Sequence, residues 1–129
     1  MIFVDTSALL AFADADDRRH AEAVEKLEPL LRTDAGATHA YVVVETAALA
    51  HRRLGGQVVR GLLEAVVPLL RTQYVDERVH RRAVTAYLAH LRRRSSLVDH
   101  VSFELMRELD IGRALAFDAD FQREGFALE

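Results

Sequence analysis

The 129-residue chain contains no cysteine, which excludes a disulfide scaffold, a thiolate-bound zinc or iron–sulfur site and a thiol nucleophile. A cysteine-free composition suits a reducing compartment. Also lacking is any apolar run near the roughly 18 residues needed to cross a bilayer. The opening Met1-Ile2-Phe3-Val4-Asp5 has no basic n-region. The expectation is therefore a cytoplasmic protein with neither an export signal nor a membrane helix. Internal repeats, low-complexity stretches and linkers are missing as well, which leaves one domain spanning residues 1–129. Half of the residues are hydrophobic and 29% are charged, enough apolar material for one ordinary core and too much for a disordered tail.

Lysine is nearly absent. Lys26 is the only one among seventeen basic residues, which stand against twenty acidic ones for a net charge of −3. That sum argues against a nucleic-acid partner. The arrangement points the other way, because the arginines are clumped as Arg18-Arg19, Arg52-Arg53, Arg81-Arg82 and Arg92-Arg93-Arg94. A guanidinium is a planar fork of donors matched to phosphate. For any one clump taken alone, a solvated helix face is the simpler reading.

Short apolar runs alternate with helical periodicity. Ile2-Phe3-Val4 reads as a buried strand that stops at Asp5, and Thr6 to Ala13 as a short helix. A second helix is expected from about Arg18 to Arg32, with Ala23, Leu27, Leu30 and Leu31 on one stripe. Ala37-Thr38-His39 reads as a strand, and Ala40 to Leu54 as a helix ended by Gly55-Gly56. Further helices are expected from Gln57 to Arg71, kinked or cut short by Pro68, from Glu77 to Arg93, and from Ser95-Ser96 to about Asp110. Gln73-Tyr74-Val75 and Ala114-Leu115-Ala116-Phe117 read as strands, the latter ending on Asp118, and Gly125 to Leu128 as an edge strand. This order predicts a three-layer α/β/α fold with a short, mostly parallel sheet. Ligands bind such sheets beyond the carboxyl ends of the strands, where Asp5 and Asp118 both fall.

Each acid has a structural and a functional reading. Asp5, between strand and helix, is a good N-cap. Asp118 has the spacing to cap a turn with Asp120. Ser96-Leu97-Val98-Asp99 has capping-box spacing, yet a carboxylate in that first turn can also point at the strand ends. Glu45 has the apolar neighbours Tyr41, Val42, Ala48 and Leu49 on its helix face, so its charge must be paired, protonated or bound to a cation. Together, the acids make a cluster that repels itself unless a cation neutralises it. Oxygen-only ligation suits magnesium or manganese. Such an ion activates water and offsets charge on a phosphodiester, so metal-assisted phosphodiester hydrolysis is the reaction class. The six histidines are scattered, with no metal-binding pair, and read as surface or core filling.

The segments I-F-V-D-T-S-A-L-L, V-V-V-E-T, S-L-V-D-H-V-S-F and A-L-A-F-D-A-D-F-Q-R-E-G-F, in that order from Ile2 to Phe126, resemble the PIN-domain family. They look closest to the VapC-type toxins of bacterial toxin–antitoxin pairs. The resemblance places the family's acidic cluster on Asp5, Glu45, Asp99 and Asp118, with Thr6 as the polar residue that orders the site. Ser7 and Asp120 are further supporting positions. It implies a magnesium- or manganese-dependent endoribonuclease, a homodimer, and a small cognate antitoxin as partner. On that reading Arg81, Arg82, Arg92, Arg93 and Arg94 are candidate contacts to the RNA, and bound divalent ions offset part of the net negative charge.

Other readings remain on the table: a housekeeping PIN nuclease of RNA maturation, or a non-catalytic interaction module whose acids are helix caps. A haloacid-dehalogenase-like phosphatase requires a second Asp where Ser7 stands. A signalling receiver domain requires a late strand-end lysine, and the one lysine here is Lys26.

Overall fold

Five short strands, all parallel, form the centre of the computed structural model, which describes residues 1–129. β1 (Ile2–Val4) is the middle strand because its residues tolerate burial on both faces: Phe3 and Val4 are completely enclosed. β2 (Gly36–His39) and β3 (Arg71–Gln73) lie on one side, β4 (Arg113–Leu115) and β5 (Ala127–Leu128) on the other, in the order β3-β2-β1-β4-β5. Phe3 stands opposite Ala37 and Ala114, and Val4 opposite Leu115. The chain runs outward from β1 in one direction, then returns to build the other half from β4. The order reverses between β1 and β4, and a crevice opens at the carboxyl ends of those two strands.

The helices are α1 (Thr6–Ala13), α2 (His20–Thr33), α3 (Ala40–Leu54), α4 (Gly56–Gly61), α5 (Glu77–Ala89), α6 (Leu97–Glu108) and α7 (Asp120–Arg123). They complete the three-layer α/β/α arrangement. The main core links Phe3, Leu9, Leu27, Phe103, Met106, Leu115 and Phe121. A smaller apolar seam of Val79, Ala83 and Val101 joins α5 to α6. Gly36 opens β2 because a Cβ there would lie 2.6 Å from the Leu70 side chain. No helix is long and apolar enough to cross a membrane.

α1 and α3 have the bounds expected from their periodicity. The helix expected over Gln57–Arg71 is divided. After α4 the backbone widens into a π-helical turn, Leu62–Val66, tightens into a 3₁₀ turn, Val67–Leu69, and is extended by Leu70. Pro68 accounts for the break, since it supplies no amide to the turn before it. β3 accordingly begins two residues earlier than the apolar run suggested and leaves Tyr74 85% exposed. α5 ends at Ala89, with His90 closing it through a ring nitrogen 2.8 Å from the Ala86 carbonyl. Arg92, Arg93 and Arg94 therefore belong to the α5–α6 connection and not to the helix.

Candidate active site

The crevice holds three carboxylates. Asp5, Asp99 and Asp118 each present an oxygen, and these three atoms lie within 4.8 Å of one another. The chain segments that carry them, the end of β1, the bend that follows β4 and the first turn of α6, meet at the reversal point of the sheet.

Asp5 is placed by both neighbouring elements. Its amide donates to the Leu115 carbonyl at 3.1 Å, continuing the β1–β4 ladder. Its Oδ2 accepts from the Ser7 amide at 3.1 Å, which caps α1, and from the Ser7 hydroxyl at 2.7 Å. Ser7 Oγ in turn accepts the Phe117 amide at 3.0 Å. One hydroxyl thus ties the Asp5 carboxylate to the backbone next to Asp118. Burial pushes the Asp5 carboxyl up from 3.8 to about 7; the Ser7 hydroxyl bond opposes this, and the charges of Asp99 and Asp118 add to it.

Asp99 performs both functions its sequence suggested. The Ser96 hydroxyl accepts the Asp99 amide at 3.1 Å, and Asp99 Oδ2 accepts the Ser96 amide at 2.7 Å, a complete capping box. The same side chain reaches the cluster. Burial raises it from 3.8 to about 6, the bond from the Ser96 amide opposes, and the charge of Asp118 adds. Asp118 is also raised, chiefly by burial, against the bond its Oδ1 accepts from the Asp120 amide at 3.1 Å. Asp120 itself is held 2.7 Å from Arg123, outside the trio.

Glu45 is not brought into the trio. It lies half-buried on α3, makes no hydrogen bond or ion pair, and its neighbour Ala48 is exposed. The face was less enclosed than four apolar neighbours implied, so the requirement for a buried partner lapses. Thr6 is buried and its hydroxyl has no partner; the Thr46 hydroxyl, beside Glu45, is in the same state. The five candidate arginines are all exposed. Arg81 is paired with Glu77 and Arg93 with Glu124, whereas Arg82, Arg92 and Arg94 pair with no acid.

Two features gave little sign in the sequence. His39 is fully buried and caps α3, its Nδ1 accepting the Val42 amide at 3.3 Å. The ring proton therefore sits on Nε2 and is donated to Ser102 Oγ at 2.8 Å, while Ser102 donates to the Val98 carbonyl at 3.0 Å. This chain fastens the start of α3 to the turn of α6 that follows Asp99. A histidine directly before a helical stripe was the only available signal. The second is Arg19, whose guanidinium lies 5.3 Å from the Phe117 ring centre, at the mouth of a groove that Asp118 also lines.

The donor set fits a hard cation. It is all oxygen, its carboxylates destabilise one another's charge, and an unpartnered buried hydroxyl, Thr6, adjoins it. Nitrogen and sulfur donors, which softer ions require, are absent from the cluster.

Comparison with known proteins identifies the family. The PIN domain family model matches residues 2–127, and the chain belongs to the PIN-domain family. The 23S rRNA-specific endonuclease VapC20 of Mycobacterium tuberculosis is 35% identical over 127 residues, 98% of this chain and 95% of that protein. The crystal structure of M. tuberculosis VapC20, a sarcin–ricin loop cleaving toxin, matches with a TM-score of 0.86 at 32% identity over 98% of this chain and 97% of that one. FitAcB from Neisseria gonorrhoeae shares the fold, with a TM-score of 0.73 at 18% identity over 99% of this chain and 96% of that one.

Proposed function

We propose that the protein is a divalent-metal-dependent endoribonuclease, the toxin of a toxin–antitoxin pair. It works in the cytoplasm as a homodimer and is neutralised by a small cognate antitoxin. The observation that carries this reading is the trio Asp5, Asp99 and Asp118 at the reversal point of the sheet, in a chain 35% identical to a 23S rRNA-specific endonuclease. The sarcin–ricin loop of 23S rRNA is accordingly the substrate proposed.

In this reading Asp5, Asp99 and Asp118 hold a magnesium or manganese ion, and Glu45, outside the trio on α3, is the fourth acid, acting on the ion through water. When bound, the ion supplies an activated water and offsets charge on the phosphodiester as it breaks. The protein's own contribution is placement. Ser7 aims Asp5, the Ser96 amide aims Asp99, and the Asp120 amide aims Asp118, each by a hydrogen bond already formed. Asp120, drawn aside by Arg123, orders its neighbour through its backbone and not as a ligand.

The test is cleavage of a synthetic sarcin–ricin loop hairpin by the purified chain, with magnesium or manganese and with EDTA. Expected is a cut that requires the ion and is abolished in Asp5→Asn, while the circular dichroism spectrum of that variant is unchanged. Cleavage that persists in EDTA, or in Asp5→Asn, would overturn the metal site. A wild-type chain that leaves the hairpin intact with either ion would overturn the substrate.

A further inference from the structure

A groove leads away from Asp118 along the surface between the start of α2 and α7. Arg19, Glu22, Phe117, Asp118, Gln122 and Leu128 line it. Its chemistry differs from that of the metal cluster. Phe117 gives it an apolar floor, and the Arg19 guanidinium lies over the ring. Arg19 is not a loose cation: its Nη1 is 3.0 Å from Glu22, and Glu22 is in turn 2.9 Å from the Lys26 ammonium. The guanidinium is therefore anchored by Glu22 and lies over an aromatic ring, 5.3 Å from its centre. The Gln122 side chain is exposed and makes no hydrogen bond within the protein, leaving two donors and an acceptor free.

This combination suits a flat heterocycle and not a phosphate. The two basic groups near the groove, Arg19 and Lys26, are both engaged with Glu22, so neither is a free cation for a phosphate. Unstacked RNA bases are held on aromatic rings or guanidinium planes and read at their edges by side-chain amides. Asp118, at one end, also belongs to the cluster where the phosphodiester would be cut. A base in the groove is thus the one flanking the cut.

We propose that this groove is a nucleobase subsite. In it a base splayed out of the RNA beside the cleaved phosphodiester stacks on Arg19, with Phe117 backing the guanidinium and Gln122 reading the base edge. The proposal rests on the endoribonuclease reading above.

The experiment measures kcat/KM on the sarcin–ricin loop hairpin and on hairpins with an abasic residue on either side of the mapped cut, for wild type, Arg19→Ala and Gln122→Ala. Base stacking of this kind supports a loss of about tenfold. The wild type should lose about tenfold on one abasic hairpin, and Arg19→Ala about tenfold on the intact hairpin. On that abasic hairpin Arg19→Ala should lose little more, because the two changes remove the same contact. The manganese concentration for half-maximal rate should stay that of wild type, which separates the subsite from the metal site. Gln122→Ala should alter the preference between bases at that position and leave the abasic rate unchanged. Multiplying penalties, or a wild type indifferent to both abasic positions, would overturn the subsite while leaving the nuclease intact. An Arg19→Ala chain that cuts RNA normally but escapes neutralisation by a partner protein would overturn it in favour of a protein-binding groove. A wild-type chain that cuts no hairpin fails at the earlier step and overturns both readings.

Discussion

The imidazole of His39 donates to the hydroxyl of Ser102 at 2.8 Å, joining two helix segments 63 residues apart in the chain. One of these helices carries Glu45 and the other starts at the Ser96 cap, with Asp99 in its first turn. The two bonds of the ring together need it neutral, because Nδ1 must accept the Val42 amide while Nε2 donates to Ser102. Burial enforces this by pushing the ring down from 6.5 to about 4.

A pH dependence of stability follows. The folded ring takes a proton less readily than the unfolded one. As pH falls below about 6.5 the unfolded chain gains the proton first, and stability is lost until about pH 4, where the folded ring also protonates. By pH 4.5 the loss is about 2 to 3 kcal/mol. Asp5 works in the opposite direction, since its raised carboxyl favours the metal-free fold increasingly as pH falls through about 7. Comparison with His39→Asn isolates the histidine, because asparagine can keep the cap but cannot titrate. In urea unfolding at pH 7.5 and 4.5, wild type should lose about 2 to 3 kcal/mol relative to the variant. Equal changes in the two proteins would mean that the buried ring is not held neutral.

Ser7 gives a separate prediction, because its hydroxyl donates to Asp5 and accepts the Phe117 amide. Ser7→Ala leaves that amide unpaired and should destabilise the fold by about 1 to 3 kcal/mol. It also removes a bond that favours the charged form of Asp5, so the carboxyl should rise further above about 7. Proton and cation compete for this group. The manganese midpoint, read from the rise in melting temperature, should therefore weaken in Ser7→Ala more at pH 7 than at pH 8.5. A midpoint that shifts equally at both values would leave Ser7 a structural role only.

The legible part of the molecule is the part governed by local rules. Apolar periodicity and turn residues delimit α1 and α3, and the run before Asp5 marks the end of β1; the run before Asp118 marks β4 but overshoots it, because the strand stops at Leu115 and Asp118 lies in the bend beyond. Asp99 could be suspected from its cap because capping and pointing at the crevice use the same first helical turn. Where residues distant in sequence decide the outcome, the pattern was silent. Phe117 meets Ser7 across 110 positions, and Ser102 meets His39 across 63. β3 was misplaced for a related reason. As an edge strand it uses the polar residues Arg71, Thr72 and Gln73, whereas the apolar run centres on the exposed Tyr74. Glu45 is legible only in part: apolar neighbours at helical spacing mark a face turned toward the protein, and they do not say whether it is closed, so the side chain is half-buried while Ala48 is exposed.

The arginine clumps separate into groups that salt dependence can distinguish. Arg92, Arg93 and Arg94 are exposed in the connection that leads into the Ser96 cap, whose amide holds Asp99; Arg93 alone is weakly paired, 3.6 Å from Glu124. Arg81 and Arg82 are farther back along α5, and the charge of Arg81 is already met by Glu77. Each phosphate neutralised on a single strand contributes about 0.7 to the slope of log affinity against log salt. RNA binding by the Asp5→Asn protein, which should not cut, gives that slope directly. Changing Arg92, Arg93 and Arg94 together to Gln should reduce it by about 1 to 2. Changing Arg81 and Arg82 should reduce it by less than about 1. Equal reductions would place the RNA along α5 as much as at the crevice, and no reduction in either would return all five arginines to the solvated surface.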